Sequence, residues 1–184
     1  MKKQLRNRSG AARVGVSMAG LLSLAISGYA FSETAAVERF ELQIVGNSPG
    51  GSEIVAGDYA AAIAQIRSTP SLHSKYVRKT NLCAAYTAQG EFTLAGPTCK
   101  AALQAGRSTS TGLQNTNRAR IANKNDQAMA LNNLGVLHAL QGKNQKALTY
   151  FESASNKSKD LKPMVSQNII ALEQRMGSEV VASY

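Results

Sequence analysis

The 184-residue sequence has little of what chemistry at an active site needs. Its histidines number two, His73 and His138, and its cysteines two, Cys83 and Cys99. Neither histidine has a carboxylate or cysteine beside it at ligand spacing, which argues against a metal site and against an acid–base pair. The C-x-x-C spacing of a redox pair is missing, as are a phosphate-cradling glycine loop and a strained nucleophile turn. The reading is therefore non-enzymatic, with no cofactor and no metal. Acidic residues are also scarce, 11 against 21 Lys and Arg, and none falls between Glu91 and Asp126. Beyond the first thirty residues no run is long or apolar enough to span a bilayer.

The one long apolar run stands at the start. Lys2, Lys3, Arg6, Arg8 and Arg13 occur there without an acid, Val14–Ser27 is apolar and small, and Gly28-Tyr29-Ala30 offers small residues where a signal peptidase cuts. Residues 1–30 read as a cleaved bacterial secretory signal, which makes the chain periplasmic or secreted. The rival is an uncleaved anchor over Val14–Phe31, whose Gly and Ser content weakens it. No Arg-Arg pair and no cysteine at the cleavage site point to the twin-arginine route or a lipoprotein. Removing the five basic residues leaves 16 basic against 11 acidic side chains and lowers the net charge from +10 to +5. That value and export both argue against nucleic acid as a partner.

After the leader comes an arm, residues 31–51. Glu38–Val45 alternates apolar and polar through Phe40, Leu42 and Ile44, which predicts a strand, and Asn47-Ser48-Pro49-Gly50-Gly51 breaks it. With no second alternating segment to pair with, it is expected as an extended arm on the domain, or as a strand added to a partner's sheet. The rest reads as helix. Ser52 is a candidate cap, and Gly57 opens a helix to about Arg67 that Pro70 ends. Ser71–Gln89 and Glu91–Ala105 form a hairpin about Gly90. Pro97 predicts a kink or a late start in its second helix. In Leu131–Ala154 two helices fold about Gly142, with Leu131, Leu134, Gly135 and His138 at helical spacing on one and Ala147, Phe151 and Ala154 on the other. Gly106–Gly112 is turn chemistry, and Leu113 and Ile121 extend the buried face led by Leu131 if the stretch after it is helical. Pro163 starts a last helix, Met164–Met176, with Val165, Ile169, Ile170 and Leu172 buried. Gly177 is its stop and 178–184 a frayed tail.

The pattern of Leu131–Ala154 resembles the tetratricopeptide repeat, which runs bulky, x2, Leu-Gly, x2, aromatic, then Ala, x3, Phe. Leu82, Cys83, Tyr86, Phe92, Ala95, Cys99 and Ala102 fill the same places about Gly90, and Gly57, Tyr59, Ala62 and Ile66 copy a second helix. The resemblance implies an all-α fold: a short helical-hairpin solenoid over 52–177, with the N-terminal arm and a C-terminal capping helix. Its parts are a half repeat (52–70), a repeat (71–105), a basic insertion (106–125), a second repeat (126–161) and the cap (163–177). His138 stands where the family has an aromatic, so packing accounts for it. Cys83 and Cys99 fall on facing helices. Export favours a disulfide between them, with two buried thiols as the alternative.

The same register gives the binding reading. Asn81, Asn133 and Asn168 each stand nine residues before a glycine, and Thr80, Asn132 and Gln167 precede the first, second and third of them. In the family this place lines a concave groove, where amides suit the main chain of an extended peptide. The alternative is that these polar residues keep a solvent-facing groove wet. Val77, Thr80, Met129, Asn132 and Met164 stand where a carboxylate clamp would need Lys or Arg. The expectation is thus a periplasmic adaptor binding a protein or peptide, with no stable membrane anchor after cleavage and a homo-oligomer left open. The rival is an envelope accessory that docks anionic polymer or lipid through Lys100, Arg107, Arg118, Arg120 and Lys124, residues that otherwise form a solvated face.

Overall fold

The computed structural model describes residues 11–15, 40–69, 74–108 and 117–181. Most of the expected leader and residues 31–39 of the arm fall outside them, as do Leu113, His73 and Pro70. Among the described residues the chain is mostly helical. Two short strands are Ala11–Gly15 (β1) and Glu41–Val45 (β2). Seven helices follow: Gly51–Val55 (α1), Tyr59–Ser68 (α2), Lys75–Gln89 (α3), Phe92–Ser108 (α4), Asn117–Leu140 (α5), Asn144–Lys157 (α6) and Lys162–Val181 (α7).

Local chemistry sets most of these boundaries. The Asp58 carboxylate accepts from Ala61 N at 3.0 Å to cap α2, and Ser74 Oγ accepts from Val77 N at 3.3 Å to cap α3. Gly90 and Gly142 take φ of +80° and +71°, a left-handed turn that side chains with a Cβ resist. Each lets a helix end and its successor fold back within a few residues. Consequently α3 lies against α4 and α5 against α6, while α4 packs on α5, α6 on α7 and α2 on α3.

α3 from Thr80 to Ala88 and α5 from Ala128 to Ala139 pack against neighbours on several sides, so these stretches are buried all round rather than along one stripe. From Thr80 to Ala88 every residue of α3 is buried, and small side chains (Cys83, Ala84, Ala85, Ala88) make the close approaches possible. On α5 the tightest point is Gly135. A Cβ there would lie 2.4 Å from Cε1 of Phe151, a ring with no solvent exposure that stacks on Phe40 at 6.4 Å. The ring has nowhere to go. Gly135→Ala is expected to cost about 1–3 kcal/mol by overpacking, less up to about 1 kcal/mol regained in helix propensity. A thermal unfolding scan of the variant checks this.

Several expectations need correction. Ser52 does not cap a helix; Gly50 holds the cap position and Ser52 lies inside α1. Pro97 causes no late start, because α4 begins five residues earlier at Phe92. The second half of the insertion is helical, which makes α5 24 residues long, yet Ile121 is 55% exposed and does not extend the buried face. On α7, Val165 and Leu172 are buried as expected, but Ile170 is exposed and Asn168 takes a buried place instead. Gly177 does not stop this helix. Nothing lies near it, so its missing side chain costs no contact, and α7 runs on to Val181. Most consequential, β2 does have a partner strand: β1 pairs with it antiparallel, Ala11 opposite Val45 through Gly15 opposite Glu41.

Candidate functional site: an asparagine row along a strand

β2 lies across α3, α5 and α7, the helix that leads each successive pair and the last one. Phe40, Leu42 and Ile44 are buried in the core, as the alternation implies. In an extended strand the N–H and C=O of one residue face the same edge, and successive residues face opposite edges. Residues 41, 43 and 45 therefore share an edge. That edge meets the asparagines.

Each contact has the same form. Asn133 accepts from Gln43 N at 2.7 Å through Oδ1 and donates to Gln43 O at 2.7 Å through Nδ2. Asn81 does this with Val45, at 2.9 Å and 3.1 Å. Asn168 does it with Glu41, at 2.7 Å and 2.9 Å. A side-chain amide carries one acceptor and donors side by side, so it answers a residue's main chain as a neighbouring strand would. The row thus acts as a strand edge made of side chains. Asn132 reinforces it, donating to Glu41 O at 2.8 Å and accepting from Asn168 Nδ2 at 2.8 Å. Asn81 also donates to Ser48 Oγ and Pro49 O, which fixes the turn that leaves β2.

Asn81, Asn132, Asn133, Asn168 and Thr80 have no solvent exposure, so they do not keep a groove wet. Gln167, by contrast, is exposed. The row and the arm come together in space; what the sequence did not reveal is that the extended segment along the row belongs to the chain itself. Gln43 was also missed. As the polar member of an alternating strand it reads as solvated, yet it is 1% exposed.

The other sequence candidates disperse. Lys100, Arg107, Arg120 and Lys124 are exposed, and Arg118 lies on α5 with its side chain outside the description. Arg107, Arg120 and Lys124 stand near the junction of α4 and α5, where Asn123 Nδ2 donates to Gly106 O at 2.5 Å. Lys100 lies about two turns back on α4 and, with Lys146 and Lys143, is near enough to act on His138. Cys83 and Cys99 form a disulfide joining α3 to α4. Among the described residues no helix is long and apolar enough to cross a membrane, and no cluster of His, Cys, Asp or Glu is suited to a metal.

His138 stacks on Tyr150, ring centroids 5.3 Å apart. Burial, then Lys146 and Lys143, hold its pKa below the ordinary 6.5. The unfolded chain then binds this proton more readily than the folded one, so stability falls as pH drops below about 6.5. Asp126 acts in the opposite direction. Burial raises it to about 6, partly opposed by a hydrogen bond from Tyr76, so folding gains as acid protonates it between about pH 6 and pH 4. Comparing wild type with His138→Phe cancels the Asp126 contribution. Urea unfolding from pH 7.5 to 5 is expected to show wild type losing ground steadily to the variant below pH 6.5.

No protein-family model, no curated protein and no solved structure matches the chain.

Proposed function

We propose that the chain is an exported, non-enzymatic interaction module built as a short tetratricopeptide-like array, and that it receives an extended segment of a partner protein as a strand added to β2. The groove in this reading is filled permanently by the chain's own Phe40–Val45. Displacing that segment would expose three core side chains and undo the asparagine contacts, whereas adding to it uses groups that are already presented.

One observation carries the reading. With residues 41, 43 and 45 committed to the asparagines, the main chain of Leu42 and Ile44 faces the opposite edge, opposite Val14 and Ala12 of β1. β1 lies within the stretch read as a secretory signal. Its removal on export leaves two N–H and two C=O groups on that edge without a strand, and an unpaired edge is a template for another chain. The periplasmic or secreted location and the absence of a membrane anchor in the mature chain follow from the same cleavage.

The test uses the full-length gene product, exported by a bacterial host and purified after processing. Intact mass is expected to place the new N-terminus beyond Gly15. A synthetic peptide of residues 8–18, supplied in trans, is expected to shift the amide resonances of Leu42 and Ile44 and to keep doing so in high salt. A mature protein that retains Ala11–Gly15, or binding that moves no resonance on β2, would overturn the proposal. Binding that fades with salt would favour instead the exposed basic side chains of α4 and α5 and an anionic partner.

A further inference from the structure

The open edge is sequence-neutral if only main chain is read, but one side chain beside it is not neutral. Gln43 sits at the centre of β2, and its buried Nε2 has no hydrogen-bond partner among the described residues. Buried amide donors are ordinarily answered, and an unanswered one marks a place where something is missing. The register says what stands opposite. Gln43 faces Arg13 of β1, and because Gln43 spends its own main chain on Asn133, the two form a non-hydrogen-bonded pair. In such pairs the Cα atoms approach most closely, so the residue type at this register position decides what can be offered to Gln43. An arginine carries five donors and no acceptor. The residue type that β1 sets at this register position therefore brings no side-chain acceptor for Gln43.

Resting on the strand-addition reading above, we infer that Gln43 selects the partner strand: the proper occupant of the β2 edge is an antiparallel segment with a carboxamide side chain, Asn or Gln, opposite Gln43. A carboxamide supplies the acceptor that Nε2 lacks and keeps its own donor for solvent. A carboxylate would also accept, but Glu41 lies two residues away on the same face of β2 and sets a like charge diagonally across from it. An apolar side chain leaves the donor as bare as arginine does. The leader segment is on this account a poor ligand, held by main-chain pairing and by being on the same chain, and easily replaced once cleaved.

The experiment titrates the processed chain with the peptide of residues 8–18 and with its Arg13→Gln and Arg13→Leu versions, following Leu42 and Ile44 by NMR. The Arg13→Gln peptide is expected to bind about three- to tenfold more tightly than the other two, the effect of one added hydrogen bond. In a Gln43→Leu protein that preference is expected to vanish. Since Gln43→Leu alters a buried position, the comparison of the three peptides on the wild-type protein stands on its own if the variant does not fold. Equal affinities for the three peptides, with Leu42 and Ile44 shifting in each case, would overturn the role of Gln43 and leave strand addition intact. No shift with any peptide would overturn strand addition itself.

Discussion

Asn133→Ala is expected to lower unfolding free energy by about 2–5 kcal/mol, a large share of the roughly 5–15 kcal/mol that holds a typical protein folded. Alanine leaves the N–H and C=O of Gln43 facing an empty place where both were bonded at 2.7 Å, and water does not readily reach them because Asn133 has no exposure. Each buried main-chain group left unanswered costs about 1–3 kcal/mol. Asn133→Asp separates geometry from size. It keeps an acceptor for Gln43 N but sets a carboxylate oxygen against Gln43 O, so it is expected to be at least as damaging despite its near-identical shape. Urea unfolding at pH 7 measures both. A loss below about 1 kcal/mol for alanine would mean that the asparagine row accompanies the strand without holding it.

Opening the disulfide is expected to have the next largest effect. Cys83 and Cys99 are 16 residues apart, and closing a loop of about that length removes roughly 3 kcal/mol of chain entropy from the unfolded state. Both sulfurs are buried on the facing sides of α3 and α4, in the same stretch that presents Asn81 to Val45. A Cys83→Ala/Cys99→Ala chain should therefore unfold several degrees lower, with hydrogen exchange accelerating first in α3 and α4. An unchanged melting temperature on reduction would mean that helix packing alone holds the pair.

The helices were legible because their signals are local. Glycines at the turns and the spacing of Leu131, Leu134 and Phe151 need no knowledge of distant residues. The misreadings have a shared cause: they concern how many neighbours a surface has. Ile121 and Ile170 keep helical periodicity with buried residues, but each points to solvent, 55% and 45% exposed. Gly177 was a stop signal overridden because an exposed helix end tolerates glycine at a cost of about 1 kcal/mol.

The site was half legible. Asn81, Asn133 and Asn168 stand out through their equal distance from a following glycine, and an amide row implies an extended main chain beside it. The alternation of Phe40, Leu42 and Ile44 announces an extended segment. Nothing local joins the two, since Asn168 and Glu41 are 127 residues apart. The joining signal was a count. Three amides can serve three residues of like parity along a strand, and 41, 43 and 45 are the main-chain groups that a strand with Phe40, Leu42 and Ile44 inward has left to offer. Gln43 escaped for a different reason. Its burial depends on what lies over the far face of β2, and no periodicity in its own strand records that.

Amide hydrogen exchange of the processed chain, resolved residue by residue, reads whether side chains hold one edge of β2 and leave the other open. Glu41, Gln43 and Val45 donate to Asn168, Asn133 and Asn81, so their amides are expected to exchange slowly. Leu42 and Ile44 should exchange fast until a partner strand is added. An alternating record of this kind is what a strand held on one edge by side chains must give. Uniformly fast exchange over residues 41–45, or protection that ignores the alternation, would contradict it.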